Sequence, residues 1–131
     1  MSEEAPIVAI VEDDDTVRRA LRRLIRSFDF DTIQFRSGEE FLAAMPLKLP
    51  ACAVVDLHMP RMTGLELLLK LRARGFTLPI IVITGFDEAG MRERCLAASA
   101  AAYLLKPIDA SAIVQSLSNA LSPGARRAVR S

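Results

Sequence analysis

Four short apolar runs, each followed by a polar side chain, set the strongest limit on how this 131-residue chain can fold. The runs read IVAIV, ACAVV, PIIVI and AAYLL, and the polar residues that end them are Glu12, Asp56, Thr84 and Lys106. Runs of this kind are typical of strands buried on both faces of a parallel sheet. Because the carboxyl ends of parallel strands meet at one edge, we expect these four side chains to converge there.

Segments with apolar residues at helical spacing separate the runs, so the chain is predicted to alternate between strands and helices. A further short strand at 32–35 brings the prediction to five strand–helix pairs. The first helix should begin after Asp14 or Asp15 as its N-cap. Its arginines are expected on the solvent face, and they are Arg18, Arg19, Arg22, Arg23 and Arg26.

Other helix boundaries rest on local signals. Ser37 and Glu40 have the spacing of a capping box, in which the serine hydroxyl and the glutamate carboxylate each accept a backbone N–H. A helix is expected over 87–98, although Gly90 interrupts it and few large apolar residues anchor it. That helix should be the most mobile element. The last helix should begin at Asp109 as its N-cap.

Charge and hydropathy exclude several classes of protein. Lysine and arginine total 17 and aspartate and glutamate total 16, so the net charge of +1 gives no support to nucleic-acid binding by this domain. The start MSEEAP lacks the basic and apolar segments of a signal peptide, and no apolar run approaches the length of a membrane span. We therefore expect a cytoplasmic protein without membrane contact, in which Cys52 and Cys95 are reduced and packed.

The converging acids predict a metal ion. Glu12, Asp13 and Asp56 would repel one another at one edge of a sheet, which raises at least one pKa unless a cation neutralises them. Ligands that are all oxygen suit Mg²⁺, with Mn²⁺ as a substitute. Asp13 and Asp56 are the predicted direct ligands, and Glu12 is expected to act through a water molecule.

The same group of side chains indicates phosphoryl chemistry. A carboxylate beside a bound cation can attack a phosphoryl group and form an aspartyl phosphate. The cation and the Lys106 ammonium would share the charge of the phosphoryl oxygens, and the Thr84 hydroxyl could donate a hydrogen bond to one of them. Few other groups are needed, because phosphoryl transfer depends mainly on positioning and electrostatic stabilisation.

Six residues form a pattern that is specific in combination: Glu12, Asp13, Asp56, Thr84, Lys106 and Pro107. Their spacing resembles that of the response-regulator receiver domains of two-component signalling, and the resemblance extends from Val8 to Leu121. The phrases DLHMPRMTGLELL and IVITG are most similar to the nitrogen-fixation and nitrate-responsive regulators. We expect a doubly wound, flavodoxin-like α/β fold with five parallel strands in the order 2-1-3-4-5 and helices on both faces. The receiver domain should span 1–122, and 123–131 should form a flexible tail or a truncated linker.

The resemblance implies a role for each site residue. Asp56 would accept a phosphoryl group from a sensor histidine kinase or a histidine phosphotransfer protein. The backbone carbonyl of His58 would join the ligands of Mg²⁺. The peptide bond between Lys106 and Pro107 would be cis.

The resemblance also implies a switch. Tyr103 matches the family's switch aromatic, which turns inward when the Thr84 hydroxyl moves toward the phosphoryl group. The fourth helix, fifth strand and fifth helix would then form an output surface that controls a downstream protein or an output domain. A phosphorylation-dependent homodimer is a further option. The domain would catalyse only its own phosphorylation and dephosphorylation, so it is not expected to be an enzyme for a separate substrate.

Some positions depart from the family's pattern. Similar domains usually have glycine where Ser99 stands and an acidic residue where Ala102 stands, so the turn into the fifth strand and the charge of the output face should differ. His58 and Phe86 are expected beside the phosphoryl site and are candidates for control of dephosphorylation. We hypothesise that the bulky Phe86 hinders the attacking water and lengthens the phosphorylated lifetime.

Two other functions stay open. A phosphatase of the aspartyl-phosphate type would place its nucleophile after the first strand, with a second aspartate two residues later. Here Glu12, Asp13 and Asp14 follow the first strand and the lone Asp56 follows the third, which argues against a phosphatase. The other alternative is a phosphate-independent interaction scaffold that keeps the fold, and the intact site residues make it the weaker one.

Overall fold

The computed structural model describes residues 5–45, 47 and 49–121. The tail predicted at 123–131 lies outside the described residues. Within the part of the chain that is described, no helix is long and apolar enough to cross a bilayer.

Five strands alternate with five helices. The strands are β1 (Ile7–Val11), β2 (Asp31–Phe35), β3 (Cys52–Asp56), β4 (Ile80–Thr84) and β5 (Ala102–Leu105). The helices are α1 (Asp15–Arg26), α2 (Gly38–Ala44), α3 (Gly64–Ala73), α4 (Met91–Ala97) and α5 (Ala110–Leu121). All neighbouring strands pair in parallel, in the order β2-β1-β3-β4-β5, which confirms the predicted topology.

Helices cover both faces of the sheet, because successive residues of a strand point to opposite sides. On one face, strand residues such as Val54 pack against the apolar sides of α1 and α5. On the other face, residues such as Val55 pack against α2, α3 and α4. Cys52 and Cys95 are free thiols that lie buried in these two layers. The central strands β3 and β4 are therefore buried along their whole length.

Helix α1 begins after Asp14, one of the two aspartates predicted as its N-cap, and the Asp14 carboxylate accepts the Val17 N–H at 3.0 Å. The prediction that all five arginines of this helix face solvent is wrong for Arg18, which is only 6% exposed. Arg18 lies three residues before Leu21 and seven before Ile25, so helical geometry places it on their buried side.

Helix α2 begins with half of the predicted capping box. The Ser37 hydroxyl accepts the Glu40 N–H at 3.0 Å, but the Glu40 carboxylate accepts the backbone N–H of Arg36 at 2.9 Å and not that of Ser37. The complete reciprocal arrangement occurs at the start of α3, between Thr63 and Glu66.

Helix α4 is shorter than the predicted span of 87–98. It begins at Met91, because Gly90 has a φ of 81° and lies outside helical conformation. Of its seven residues only Cys95 is buried. The segment between Thr84 and Gly90 is therefore a loop, the β4–α4 loop, and not the first turn of the helix.

Helix α4 ends in a turn that requires a left-handed residue, and that residue is Ser99 with a φ of 74°. The Ala100 N–H donates to the Cys95 carbonyl at 3.0 Å and the Ser99 N–H to the Leu96 carbonyl at 2.9 Å, which is a Schellman motif. Helix α3 ends in the same way, with Gly75 at the left-handed position and a φ of 88°. A residue with a β-carbon is strained in this conformation, whereas glycine is not.

The two helix ends provide a matched test of this strain. We expect Ser99→Gly to raise the free energy of unfolding by about 0.5 to 1 kcal/mol and Gly75→Ala to lower it by about 1 kcal/mol. Urea denaturation followed by circular dichroism measures both changes. A Ser99→Gly variant that is no more stable than the wild type would contradict the prediction.

Candidate functional site

The carboxyl edge of the sheet brings together the predicted site residues at the ends of β1, β3 and β5. Asp56 is the last residue of β3, and Glu12 directly follows the neighbouring β1. Strands β1 and β3 lie side by side in the middle of the sheet, and the connections that leave them run to opposite sides of it. Such a point in an open α/β sheet leaves a crevice at the carboxyl ends of the strands, where ligands bind.

Three carboxylates meet in this crevice. Glu12, Asp13 and Asp56 each offer an oxygen, and these oxygens all lie within 4.8 Å of one another. Glu12 and Asp56 are 1% and 4% exposed, whereas Asp13 is open to solvent. The cluster is thus buried on the sheet side and accessible on the Asp13 side.

Lys106 reaches the cluster from the end of β5. Its Nζ atom lies 3.0 Å from Glu12 Oε1 and 3.4 Å from Asp56 Oδ1. The backbone N–H of Lys106 donates to the backbone carbonyl of Thr84 at 2.7 Å, and this bond aligns the end of β5 with the end of β4. The peptide bond from Lys106 to Pro107 is cis, as predicted.

The pKa values of Glu12 and Lys106 are shifted by burial and by the charged groups beside them. Burial raises the pKa of Glu12 to about 7, the Asp56 charge adds to this rise, and the hydrogen bond from Lys106 opposes it. For Lys106, burial acts to lower the pKa, but the hydrogen bond to Glu12 and the charge of Asp56 outweigh burial and raise it. Among the described residues, the Lys106 ammonium contacts two of the three carboxylates, Glu12 and Asp56, and the charge that remains uncompensated favours a further cation.

The donor set fits a hard divalent cation. All three side chains offer carboxylate oxygens, which are the ligands that Mg²⁺ and Mn²⁺ take in proteins. The Glu12 carboxylate already accepts hydrogen bonds from Lys106 and from the Asp14 N–H at 3.2 Å. Asp13 and Asp56 are therefore the carboxylates best placed for direct contact with a cation.

Thr84 ends β4 with its side chain fully buried. Its hydroxyl donates to the Phe86 carbonyl at 2.9 Å and accepts the Phe86 N–H at 3.1 Å. The hydroxyl is thus engaged within its own loop. The predicted contact of Thr84 with a phosphoryl group stays a prediction.

His58 and Phe86 lie on neighbouring loops that follow β3 and β4. The two rings are 6.2 Å apart between centroids, and Phe86 is 65% exposed. His58 Nε2 lies 3.2 Å from Glu88 Oε1, so this pair connects the β3–α3 loop to the β4–α4 loop. The predicted roles of the His58 carbonyl as a metal ligand and of both side chains in dephosphorylation stay predictions.

Tyr103, the predicted switch residue, lies in β5 and is 5% exposed. Its hydroxyl donates to Asp87 Oδ1 at 3.1 Å. Arg92 of α4 donates to the Tyr103 carbonyl at 3.3 Å, and its guanidinium carbon lies 5.9 Å from the centre of the ring. The Tyr103 hydroxyl is therefore bonded to the β4–α4 loop, and the Tyr103 backbone is bonded to α4.

Two residues that support the acidic cluster, Arg18 and Gly64, were not among the site residues predicted from the sequence. Arg18 donates from Nη1 to the Glu12 carbonyl at 2.9 Å and forms an ion pair with Asp15, so it fixes the exit of β1. At Gly64, a β-carbon would lie 2.5 Å from the Asp56 carbonyl oxygen, so α3 can begin this close to β3 only with glycine. The spacing of Arg18 from the apolar Leu21 and Ile25 could have indicated that Arg18 is buried. No sequence pattern marks the close approach of Gly64 to β3.

Comparison with known proteins identifies the family. Residues 8–118 match the family model described as the response regulator receiver domain. The transcriptional regulatory protein FixJ of Azorhizobium caulinodans is 37% identical over 128 residues, which cover 97% of this chain and 60% of that protein. The DNA-binding transcriptional regulator NtrC of Salmonella typhimurium is 33% identical over 88% of this chain and 25% of its own length. The chain thus spans only part of the length of the curated relatives it matches.

Solved structures of receiver domains have the same fold as this chain. The crystal structure of FixJ-N superposes with a TM-score of 0.83 at 32% identity and covers 92% of this chain and 95% of that one. A response regulator receiver protein from Burkholderia phymatum superposes with a TM-score of 0.77 at 40% identity, over 88% of this chain and 94% of that one. The family expected from the site motifs is confirmed, and the chain belongs to the response-regulator receiver domains of two-component signalling.

Proposed function

We propose that Asp56 accepts a phosphoryl group from a sensor histidine kinase or a histidine phosphotransfer protein, and that the domain is a switch controlled by this phosphorylation. The observation that carries the proposal is the grouping of Asp56 with Glu12 and Asp13 within 4.8 Å and with the Lys106 ammonium at 3.4 Å. Asp13 is exposed, so a donor can approach the cluster from that side.

In the proposed step, a carboxylate oxygen of Asp56 forms a bond to phosphorus while the bond between phosphorus and the donor imidazole nitrogen breaks. The electron pair leaves with the imidazole, which then takes up a proton. The Lys106 ammonium offsets negative charge on the phosphoryl oxygens, because it already lies beside the Asp56 carboxylate. The Thr84 hydroxyl would leave the Phe86 carbonyl and donate to one of the phosphoryl oxygens.

We propose Mg²⁺, or Mn²⁺ in its place, as the cofactor of this site. Asp13, Asp56 and the backbone carbonyl of His58 would be its direct ligands, and Glu12 would act through a water molecule. When bound, the cation supplies positive charge that offsets the carboxylates and the phosphoryl oxygens. The hydrogen bonds that Glu12 already accepts from Lys106 and Asp14 support its outer position.

The proposed output surface is formed by α4, β5 and α5, and it would control a downstream protein or an output domain. Tyr103 is its proposed switch residue. The relatives FixJ and NtrC carry the names of transcriptional regulators, which supports an output in gene regulation carried by another part of the protein or by a partner. A phosphorylation-dependent homodimer through this surface is a further part of the proposal. Because histidine kinases draw their phosphoryl group from ATP, we place the domain in the cytoplasm.

Intact mass spectrometry tests the acceptor residue. With Mg²⁺ and acetyl phosphate or beryllofluoride, we expect a covalent or tightly bound adduct on the wild type and none on Asp56→Asn, which lacks the nucleophilic oxygen. The control Asp31→Asn removes an exposed acid outside the cluster and should form the adduct normally. An adduct that survives Asp56→Asn would refute the assignment, and a wild type without any adduct would favour the interaction scaffold.

The raised pKa of Glu12 predicts a pH-dependent stability in EDTA. Folding raises this pKa from 4.5 to about 7, so the folded state binds the proton more tightly, and stability is lost as pH rises through this interval. Relative to Glu12→Gln, the wild type should lose about 1 to 3 kcal/mol of unfolding free energy between about pH 5 and about pH 8. Urea denaturation at the two pH values measures the difference.

Added Mg²⁺ supplies the second half of this test. Mg²⁺ should raise the free energy of unfolding more at about pH 8 than at about pH 5, because at the higher pH it no longer competes with the proton of Glu12. Equal pH profiles for the wild type and Glu12→Gln would show that the Glu12 carboxyl is not perturbed by its surroundings.

The exposed ring of Phe86 leads to a prediction about the phosphorylated lifetime. If this ring hinders the attacking water, Phe86→Ala should lose its phosphoryl group severalfold faster than the wild type. Phe86→Leu retains apolar bulk and should decay at nearly the wild-type rate. The loss of the adduct after removal of the phosphodonor, followed by intact mass, measures both rates. Unchanged decay in Phe86→Ala would rule out the proposed shielding.

A further inference from the structure

The hydroxyl of Tyr103 is anchored by a side chain that no site motif includes. Tyr103 Oη donates to Asp87 Oδ1 at 3.1 Å, and Asp87 belongs to the β4–α4 loop. The ring itself is 5% exposed and packs in the core layer that contains Cys95, with Met91 and Ala100 at its edge. The apolar ring is therefore buried while its polar end reaches the loop.

The Asp87 carboxylate satisfies a group that would otherwise be costly to bury. A phenolic hydroxyl loses its hydrogen bonds to water on burial, and that loss is offset only when a protein acceptor replaces them. The pKa of Tyr103 is raised to about 12, first by burial, next by the hydrogen bond to Asp87 and then by the negative charge of the Asp87 carboxylate. The buried position of Tyr103 and its contact with Asp87 therefore support each other.

Arg92 does not replace Asp87 as an anchor. Its Nη1 donates to the backbone carbonyl of Tyr103 at 3.3 Å, so this bond fixes the β5 backbone and leaves the side-chain torsions free. The distance of 5.9 Å from the guanidinium carbon to the ring centre is at the outer limit of a cation–π contact. The side-chain position of Tyr103 thus depends on core packing and on the hydrogen bond to Asp87.

Asp87 is also close in sequence to the hydroxyl that is proposed to sense the phosphoryl group. Thr84 Oγ1 is hydrogen-bonded to both the N–H and the carbonyl of Phe86, the residue directly before Asp87. A movement of the Thr84 hydroxyl would release the Phe86 carbonyl and so disturb the loop that carries Asp87. The loop is a physical connection between Thr84 and Tyr103 that requires no direct contact between them.

We propose that Asp87 is a positioning residue whose carboxylate holds Tyr103 in its buried rotamer and so favours the inward form of this switch residue in the surface built from α4, β5 and α5. The role of that surface rests on the proposed function. Asp87 then determines how firmly Tyr103 is kept in the core, and a movement of the Thr84 hydroxyl would reach Tyr103 through the loop that carries Asp87.

The composition of the chain makes the test direct. The sequence contains one tyrosine and no tryptophan, so intrinsic fluorescence reports on Tyr103 alone. Quenching by acrylamide at neutral pH measures how far the ring is open to solvent. The 131-residue chain can be used without a label or a phosphodonor.

Three variants distinguish a hydrogen bond to Asp87 from core packing alone and from an effect of charge. Asp87→Ala removes the acceptor, and the quenching constant of Tyr103 should rise severalfold above that of the wild type. Asp87→Asn keeps an acceptor oxygen at the same place, and its quenching should stay near the wild-type value. Glu93→Gln removes one negative charge from the exposed side of α4 and should change nothing, which controls for charge alone. Wild-type quenching in Asp87→Ala would overturn the proposal, because packing would then hold the ring unaided.

A double-mutant cycle gives a readout that does not depend on fluorescence. The urea midpoints of the wild type, Asp87→Ala, Tyr103→Phe and the double variant are compared by circular dichroism. A direct hydrogen bond predicts that Tyr103→Phe shifts the midpoint in the wild type and shifts it much less once Asp87 is absent. Fully additive shifts would show that the two side chains do not act together and would also overturn the proposal.

The same experiments in an Asp56→Asn background separate this inference from the proposed function. Quenching that rises in Asp87→Ala with or without Asp56 supports the anchor, whatever the phosphorylation assay shows. Failure of phosphorylation together with an intact anchor would refute only the role of Asp56.

Discussion

The mutual repulsion of three carboxylates at one edge of the sheet is the constraint on which the rest of the site depends. Glu12, Asp13 and Asp56 lie within 4.8 Å of one another, and two of them are almost fully buried. An isolated buried charge is very unfavourable, so such a cluster persists only with compensation. Lys106 supplies part of it from the far end of the chain, and a cation would supply the remainder. The charge balance of the site therefore ties β1, β3 and β5 to one another.

Topology explains why this cluster could be predicted from the sequence. Each apolar run ends in its functional residue, and a parallel sheet brings all such ends to one edge whatever the details of the helices. The meeting of Glu12, Asp56 and Lys106 needed only the strand order and the strand ends. A turn at Ser99 was likewise expected, because the residue stands where the family usually has glycine, but its left-handed conformation is known only from the structure.

Other contacts could not be predicted, for different physical reasons. Arg18 was assigned to solvent by its residue type, although its spacing from Leu21 and Ile25 placed it on the buried side of α1. The contacts of Asp87 with Tyr103 and of Glu88 with His58 depend on the path of a loop. No periodicity records that path, because a loop has no repeating geometry from which the direction of a side chain follows.

The weak anchoring of α4 has a consequence for how local stability is distributed over the domain. This helix has seven residues, buries one of them, starts without a side-chain cap and ends on a strained serine. Elements with few buried contacts open by local unfolding at free energies well below that of global unfolding. In native-state hydrogen exchange, α4 and the loop before it should behave as one low-stability cooperative unit, while β3 and β4 exchange only when the whole domain opens. Helix α4 and the loop that contacts Tyr103 can then change their conformation while the strands that hold the acidic cluster remain folded.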